Sequence, residues 1–494
     1  MKQKISIFFL STILCAGNIH AQDVPNAADF LPGPPSSLSM KYANDYMQYA
    51  WGKSVRNTAQ GAQAKTDMSW DLDSYLKAFS PILGVELSTT NTPNIHQVLE
   101  YGIKYAEMSI KKSQSAFSNY RRPCVRFDEQ SLVPELDGLH GKESPYPSVQ
   151  ATYGWLLGML LVEICPDKQD QILARGYEFG TSSIIAGYNW YSDVQAGRHL
   201  ASTLMIFFHT QNGFTLQVKM ARDEYDRKAA TRASTRADGY LTYEDLPNPV
   251  NYLPAPPDDT SSLFTYDISQ YIDGQMQRYT SRGEMAKNDC NSSVSYMCNY
   301  FSSAFGKKIS ESETPEIFNL VSRVSQLAGQ SCTVAKNHYN RLRPYVLFNE
   351  PTIYPEDEDD LRDNGSYPSG HAAFGWLIGL TLSEINPTAM NNLMSQAYEY
   401  GQSRVIAGYH FQSDVDAGRL TAGAAFARLH AESEYLDQLE KAMKEFKGGT
   451  SGVRSAQADN NGTDTPLYNI SGMRLEHEPT QHGIYIQGNK KIAY

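Results

Sequence analysis

The chain has 494 residues, 41% hydrophobic and 20% charged, with a formal net charge of −11 at pH 7. That length exceeds one ordinary domain, and the apolar fraction suffices for a core in each of two. The acidic balance argues against a nucleic-acid partner.

Taken in chain order, the first 21 residues read as a secretory signal peptide. Lys2 and Lys4 precede an apolar run over residues 5–16, and Ala21 offers a small residue for cleavage. Cys15 follows the bulky Leu14, where lipid attachment wants a small residue. No later window reaches the roughly 18 apolar residues of a membrane span. The longest apolar run, 151–162, ends at Glu163 and predicts a buried core helix. Five cysteines remain beyond Cys15, and in an oxidising compartment Cys290 and Cys298 are the candidate disulfide pair.

The body of the chain matches itself. "YPSVQATYGWLLG" at Tyr146 is matched by "YPSGHAAFGWLIG" at Tyr367, and "AGYNWYSDVQAGR" at Ala186 by "AGYHFQSDVDAGR" at Ala407. The offset is 222 residues early on and 221 from Arg343-Pro344 onward. So regular a match implies two copies of one domain rather than small repeating units. The copies are placed at 22–230 and 250–447, with a polar linker near 230–250. Within them, "PEIFNLVSRVSQLAGQSCTVAKNHYNR" spaces apolar residues three and four apart. "HAAFGWLIGLTLSEI" is apolar nearly all round, as a central helix would be. Each copy is therefore expected to be an all-α helical bundle, and the two are expected to dock on one another. Residues 448–465 have linker composition. The tail, 466–494, alternates around Gln487-Gly488-Asn489 and predicts a small hairpin.

Chemistry gathers in the second copy. Lys336 and Arg343 are seven apart, which predicts two cations on one helical face. Ser369 and Gly370 precede the apolar helix, where free N–H groups make an anion nest and His371 stands at its mouth. Arg404 adds a third cation. His410 and Asp414, four apart, would be neighbours on a helix, so that the carboxylate fixes the imidazole tautomer. Three cations, an anion nest and two histidines are what phosphoryl transfer through a phosphohistidine needs, without a metal.

Read in order, K-x6-R-P, P-S-G-H and S-R-x5-H-x3-D resemble the signature of the type 2 phosphatidic acid phosphatase superfamily. The longer string around them resembles the class A bacterial non-specific acid phosphatases. The resemblance spans about 253–446. It implies a soluble, exported, all-α enzyme acting on small phosphate monoesters. By position it implies His410 as nucleophile, Asp414 as its orienting partner and His371 as general acid. Lys336, Arg343, Ser369, Gly370 and Arg404 would hold phosphate. No cofactor is implied, though vanadate would act as an inhibitor. Vanadium-dependent haloperoxidases share the superfamily, so a vanadate-loaded peroxidase is the alternative enzyme, and a binding protein on a phosphatase frame the alternative without catalysis. The tail resembles the C-terminal sorting segments of bacterial type IX export, which leaves periplasm or cell surface as destinations.

The first copy departs from the motif. Ser115 stands for Lys336, Gln150 for His371, Ser183 for Arg404 and Asn189 for His410, while Arg122, Ser148, Ser182 and Asp193 remain. Asn189 cannot form a phosphohistidine and Gln150 cannot serve as an acid near neutral pH. The first copy is thus expected to be a catalytically dead lobe. Finally, an acidic run over 355–363 lies between the motif parts and is read as a solvated loop or an overhang that disfavours polyanions.

Overall fold

The computed structural model describes residues 24–229 and 241–448, together with the backbone of four short strands in the tail. The signal-peptide, inter-copy and 448–465 linker readings fall largely outside these residues. The chain divides into two compact units, residues 1–449 and 450–494.

The first unit is helical throughout its described residues. Its first half holds α1 (Met40–Ser54), α2 (Ala59–Asp67), α3 (Leu72–Leu83), α4 (Pro93–Ser115), α5 (Pro123–Arg126), α6 (Pro134–His140), α7 (Val149–Ile164), α8 (Gln169–Ala186), α9 (Tyr191–His209) and α10 (Phe214–Lys228). A short α11 (Pro249–Tyr252) follows. The second half holds α12 (Ser262–Gln277), α13 (Ser281–Asn288), α14 (Val294–Phe305), α15 (Pro315–Ser331), α16 (Thr333–Tyr339), α17 (Pro344–Leu347), α18 (Glu358–Leu361), α19 (Gly370–Ile385), α20 (Met390–Ala407), α21 (Gln412–His430) and α22 (Ser433–Phe446).

Local chemistry sets the same boundaries in each half. Ser148 and Ser369 cap α7 and α19, each side chain accepting the N–H three residues on at 3.3 Å. Asp193 and Asp414 turn back onto the N–H of Trp190 and Phe411 at 2.8 and 2.9 Å, starting α9 and α21. Gly187 and Gly408 end α8 and α20 in the left-handed region that favours glycine, with φ of 81° and 92°. Every residue of α7 is buried, as is nearly all of α19.

One buried apolar cluster runs through both halves and includes Trp155 and Leu160 of α7 with Trp376 and Leu377 of α19. The halves also meet through polar groups. Gln48 donates to Ser262 Oγ at 2.9 Å, and Arg222 to the Ala431 carbonyl at 3.0 Å. The imidazoles of His209 and His430 lie 3.9 Å apart. His209 faces Glu163 at 3.1 Å and His430 faces Glu384 at 3.0 Å.

Cys290 and Cys298 are free and buried, which corrects the disulfide expectation. Cys298 points into the main core from α14, whereas Cys290 packs in a separate cluster with Tyr345 and Tyr409. In the tail unit, strands β1 (Leu467–Asn469), β2 (Arg474–Leu475), β3 (Ile484–Gln487) and β4 (Lys490–Ala493) form an antiparallel sheet in the order β2-β1-β3-β4. Gln487 pairs with Lys490, where the hairpin was expected, and β1 and β2 extend it to four strands. No helix among the described residues is long and apolar enough to cross a membrane.

Candidate active site

Two local geometries differ from the helical reading. Helix α16 stops at Tyr339, because Asn340 takes φ 39°, and Arg343 follows in extended backbone as the residue capping α17. Lys336 and Arg343 therefore do not share a helical face. His410 likewise lies before α21, and Asp414 reaches it from the first turn rather than across a helix face.

The site forms where three segment ends meet: the loop after α16, the start of α19, and the turn from α20 into α21. His410 is its buried centre. Its backbone N–H donates to the Arg404 carbonyl at 3.3 Å, so cation and imidazole sit on one tight turn. Arg343 Nη1 lies 3.1 Å from His410 Nε2. A guanidinium can only donate, so Nε2 carries the lone pair and Nδ1 the hydrogen. That hydrogen faces Asp414 Oδ2 at 3.4 Å. Burial and the Arg343 charge hold the His410 imidazole well below its ordinary pKa, with Asp414 opposing, so the ring is neutral and nucleophilic.

Arg343 is fixed by backbone carbonyls. Its Nε donates to Leu361 O and Asn364 O, both at 3.0 Å, and Nη1 to Tyr409 O at 3.2 Å. Burial and the neighbouring Arg404 lower its pKa to about 10. Arg404 is buried against the Tyr409 ring at 4.1 Å, and its Nε and Nη1 have no hydrogen-bond partner. Buried donors without partners are costly, and an anion would satisfy them. Lys336 Nζ donates to Gly365 O at 2.6 Å, and burial followed by the Arg343 charge lowers its pKa to about 7. Ser369 is buried and donates its N–H to the Asp414 carbonyl at 2.8 Å. A side chain on Gly370 would first meet Lys336 Cε, at 4.0 Å, so the space over the start of α19 is open and bounded by a cation.

His371 is half-buried at this mouth, stacked on Tyr400 at 5.9 Å, one turn before Arg404. Its Nε2 donates to the Cys290 carbonyl at 3.1 Å, which leaves Nδ1 to carry a transferable proton. Burial and Arg404 push its pKa well below the ordinary value. Nothing in the sequence pointed to that carbonyl. Arg341 and Asp267, which stand behind Asp414, belong to no part of the motif either; Arg341 lies two residues before Arg343 and reads at first as an ordinary surface cation.

The corresponding place in the first half is built from different side chains. Arg122 is held as Arg343 is, by His140 O at 3.0 Å and Tyr188 O at 3.2 Å. Trp70 stacks on His140 at 3.8 Å and lies 6.0 Å from the Arg122 guanidinium. Ser148 Oγ donates to Asn189 Oδ1 at 3.1 Å, and Asn189 Nδ2 to Pro145 O at 2.8 Å. Ser183 turns inward to Gly180 O, and Ser115 turns back to Lys111 O, both at 2.8 Å. Ser182 bonds Asp67 at 2.7 Å, and Gln150 is buried with both amide atoms unpartnered. Asp193 keeps its capping bond to Trp190.

A family model described as the PAP2 superfamily matches residues 320–435, the span from α15 into α22 that carries Lys336, Arg343, Ser369, His371, Arg404, His410 and Asp414. A non-specific acid phosphatase of Providencia stuartii is 44% identical over 208 residues, 42% of this chain and 84% of its own length. The chain belongs to the PAP2 superfamily, among the non-specific acid phosphatases. A second such phosphatase, from Salmonella typhimurium, is 42% identical over 204 residues, 41% of this chain and 82% of that relative. An acid phosphatase of Zymomonas mobilis is 30% identical over 206 residues, 42% and 78% of the two lengths. The solved structure of a bacterial vanadium-dependent iodoperoxidase aligns with a TM-score of 0.29 and 13% identity, over 72% of this chain and 95% of its own. Outside the PAP2 site, His209, Glu384 and His430 bring ligand atoms within 4.8 Å of one another. His209 pairs with Glu163 and His430 with Glu384, the two rings tilted by 30°, and His430 lies about 24 Å along α21 from Asp414. That arrangement suits ion pairing better than metal binding.

Proposed function

We propose that the second half hydrolyses phosphate monoesters through a phosphohistidine on His410, without a metal. The observation that carries the reading is the pairing of a buried, neutral His410, its Nε2 lone pair set against Arg343, with a buried Arg404 that has two unpartnered donors. A phosphate group satisfies both at once. Arg343, Arg404, Lys336 and the start of α19 at Ser369 and Gly370 bind its oxygens. His410 Nε2 attacks phosphorus as the ester P–O bond breaks, and His371 Nδ1 delivers its proton to the leaving oxygen. His371 then takes a proton from water, which attacks phosphorus, breaks the P–N bond and frees phosphate and His410.

In this reading the first half descends from the same domain by duplication and is structural. The Asn189 amide nitrogen is no nucleophile, its lone pair being delocalised, and Gln150, Ser115 and Ser183 replace the acid and two of the cations. It packs on the active half and supplies core. The N-terminal pattern supports export, and the resemblance of the tail supports a sorting role.

The test is release of p-nitrophenol from p-nitrophenyl phosphate at mildly acidic pH in the presence of EDTA, for the wild type and His410→Ala. Turnover that survives EDTA and vanishes in the variant supports the reading. EDTA-sensitive turnover, or turnover that persists in His410→Ala, overturns it.

A further inference from the structure

Asp414 has two buried oxygens with different partners. Oδ2 faces His410 Nδ1 and the Phe411 N–H. Oδ1 accepts Arg341 Nη1 at 2.6 Å. The same guanidinium donates from Nη1 to Ser413 Oγ at 2.9 Å and from Nη2 to Asp267 Oδ2 at 2.8 Å. Asp267, on α12, in turn accepts the Ser413 N–H at 2.8 Å and its hydroxyl at 2.5 Å. Phe411 covers the flat face of Arg341 at 4.3 Å. The Arg341 side chain is 9% exposed and both carboxylates are fully buried.

The first half supplies a natural comparison. Asp45 matches Asp267 and still accepts the Ser192 N–H at 2.8 Å and hydroxyl at 2.6 Å. Asp193 matches Asp414 and still caps its helix. Tyr120 stands where Arg341 does. There Asp193 Oδ1 and the Tyr120 hydroxyl are buried without partners. Burial lifts Asp45 to about 7, and burial with the Asp45 charge lifts Asp193 well above the carboxylate range. In the second half burial lifts Asp267 only to about 6, and Asp414 is held below the usual range, Arg341 being the largest influence against its burial.

We propose that Arg341 is a positioning residue for the phosphoryl transfer, which clamps Asp414 against His410 and neutralises Asp267 behind it. It does not touch phosphate. A lone pair on His410 Nε2 requires the hydrogen on Nδ1, and an ionised, correctly aimed Asp414 keeps it there. Besides Asp267, the other titratable groups that bear on Asp414 are His410, Lys336 and Arg343 on the phosphate side and the buried Tyr367 hydroxyl. Arg341 alone joins Asp414 to Asp267. The inference rests on the proposed phosphohistidine mechanism.

The experiment compares full-length wild type, Arg341→Gln, Arg341→Lys and Arg341→Gln/Asp267→Asn. In Arg341→Gln, Asp414 loses a cation and keeps the Asp267 charge, so its pKa rises. The acid limb of kcat then moves to higher pH by about one unit or more. kcat falls roughly ten- to a hundredfold, as for other groups that orient a reacting histidine, with little change in KM. Arg341→Lys and the double variant should each return the limb part of the way. A fall in kcat with an unmoved acid limb, or a loss carried by KM, overturns the proposal. If Arg341→Gln does not fold, Arg341→Lys alone decides by the same shift, smaller in size. The ¹⁵N resonances of labelled His410 give a readout independent of turnover. If the wild type does not hydrolyse esters, yet loss of the Nδ1–H tautomer moves to higher pH in the variants, the mechanism fails and the clamp stands. An unmoved tautomer midpoint refutes the clamp itself.

Discussion

The His–Glu cluster between the halves makes stability depend on pH in a way that can be worked out. His430 donates from Nδ1 to the Phe426 carbonyl at 2.8 Å, and its Nε2 lies 3.0 and 3.2 Å from the two Glu384 oxygens. Burial disfavours the charged ring, but Glu384 and then Glu163 outweigh it, raising the pKa from 6.5 to about 9. A raised folded pKa means stabilisation that is complete below the unfolded value and lost as pH rises through the folded one. The rise corresponds to about 3 kcal/mol, at about 1.4 kcal/mol per pH unit. Urea unfolding of the wild type from about pH 6 to about pH 10 should therefore show a loss of that order from this one ring, on top of other titrations. Glu384→Gln removes the largest cause of the raised pKa. It should lower stability at about pH 6 and flatten the pH slope between about 7 and 9 relative to wild type. Parallel stability curves for the two proteins would refute the assignment of a charged His430.

Further predictions concern the site. Because His371 must be protonated to act and its pKa is depressed, kcat/KM should fall as pH rises through a value below about 6.5, giving an acid optimum; a profile flat into the alkaline range would remove His371 as the acid. Lys336 loses its proton near pH 7, so KM should rise above that pH in wild type, and Lys336→Met should abolish the dependence while raising KM throughout. A methyl group on Gly418 would meet the Ser369 carbonyl at 2.3 Å, so Gly418→Ala should displace the cap of α19 and cut activity roughly tenfold or more, readable as kcat/KM against an intact far-ultraviolet spectrum. Asn189→His with Gln150→His should give no activity in a His410→Ala background, since Ser115 and Ser183 still stand where the lysine and the second arginine would be; turnover there would overturn the structural reading of the first half.

The sequence carried the helical architecture because each half repeats the same strong local signals. Ser148 and Ser369 as caps, glycines after α8 and α20, and two helices apolar on every side leave little freedom. It also carried the motif residues, since His410, Asp414 and Arg343 do meet. What spacing misjudged was backbone between motif letters. Seven residues looked like two helical turns, but Asn340 in the left-handed region ends α16 between the two cations. Four residues looked like one turn, but Phe411 stands as a cap between His410 and its carboxylate. Arg341 was illegible for another reason: its partners Asp267 and Ser413 are 74 and 72 residues away, and a lone arginine on a charged segment resembles many that face water. Cys290 and Cys298 were close in sequence yet belong to different clusters, which no spacing rule reveals.

The acidic run and the residue just beyond it grip Arg343 with two peptide oxygens, Leu361 O and Asn364 O, while the Asp359 side chain is exposed. Main-chain oxygens are the same whatever residue supplies them. The exposed Asp359, Asp360 and Asp363 can therefore be exchanged without loosening the cation that faces His410.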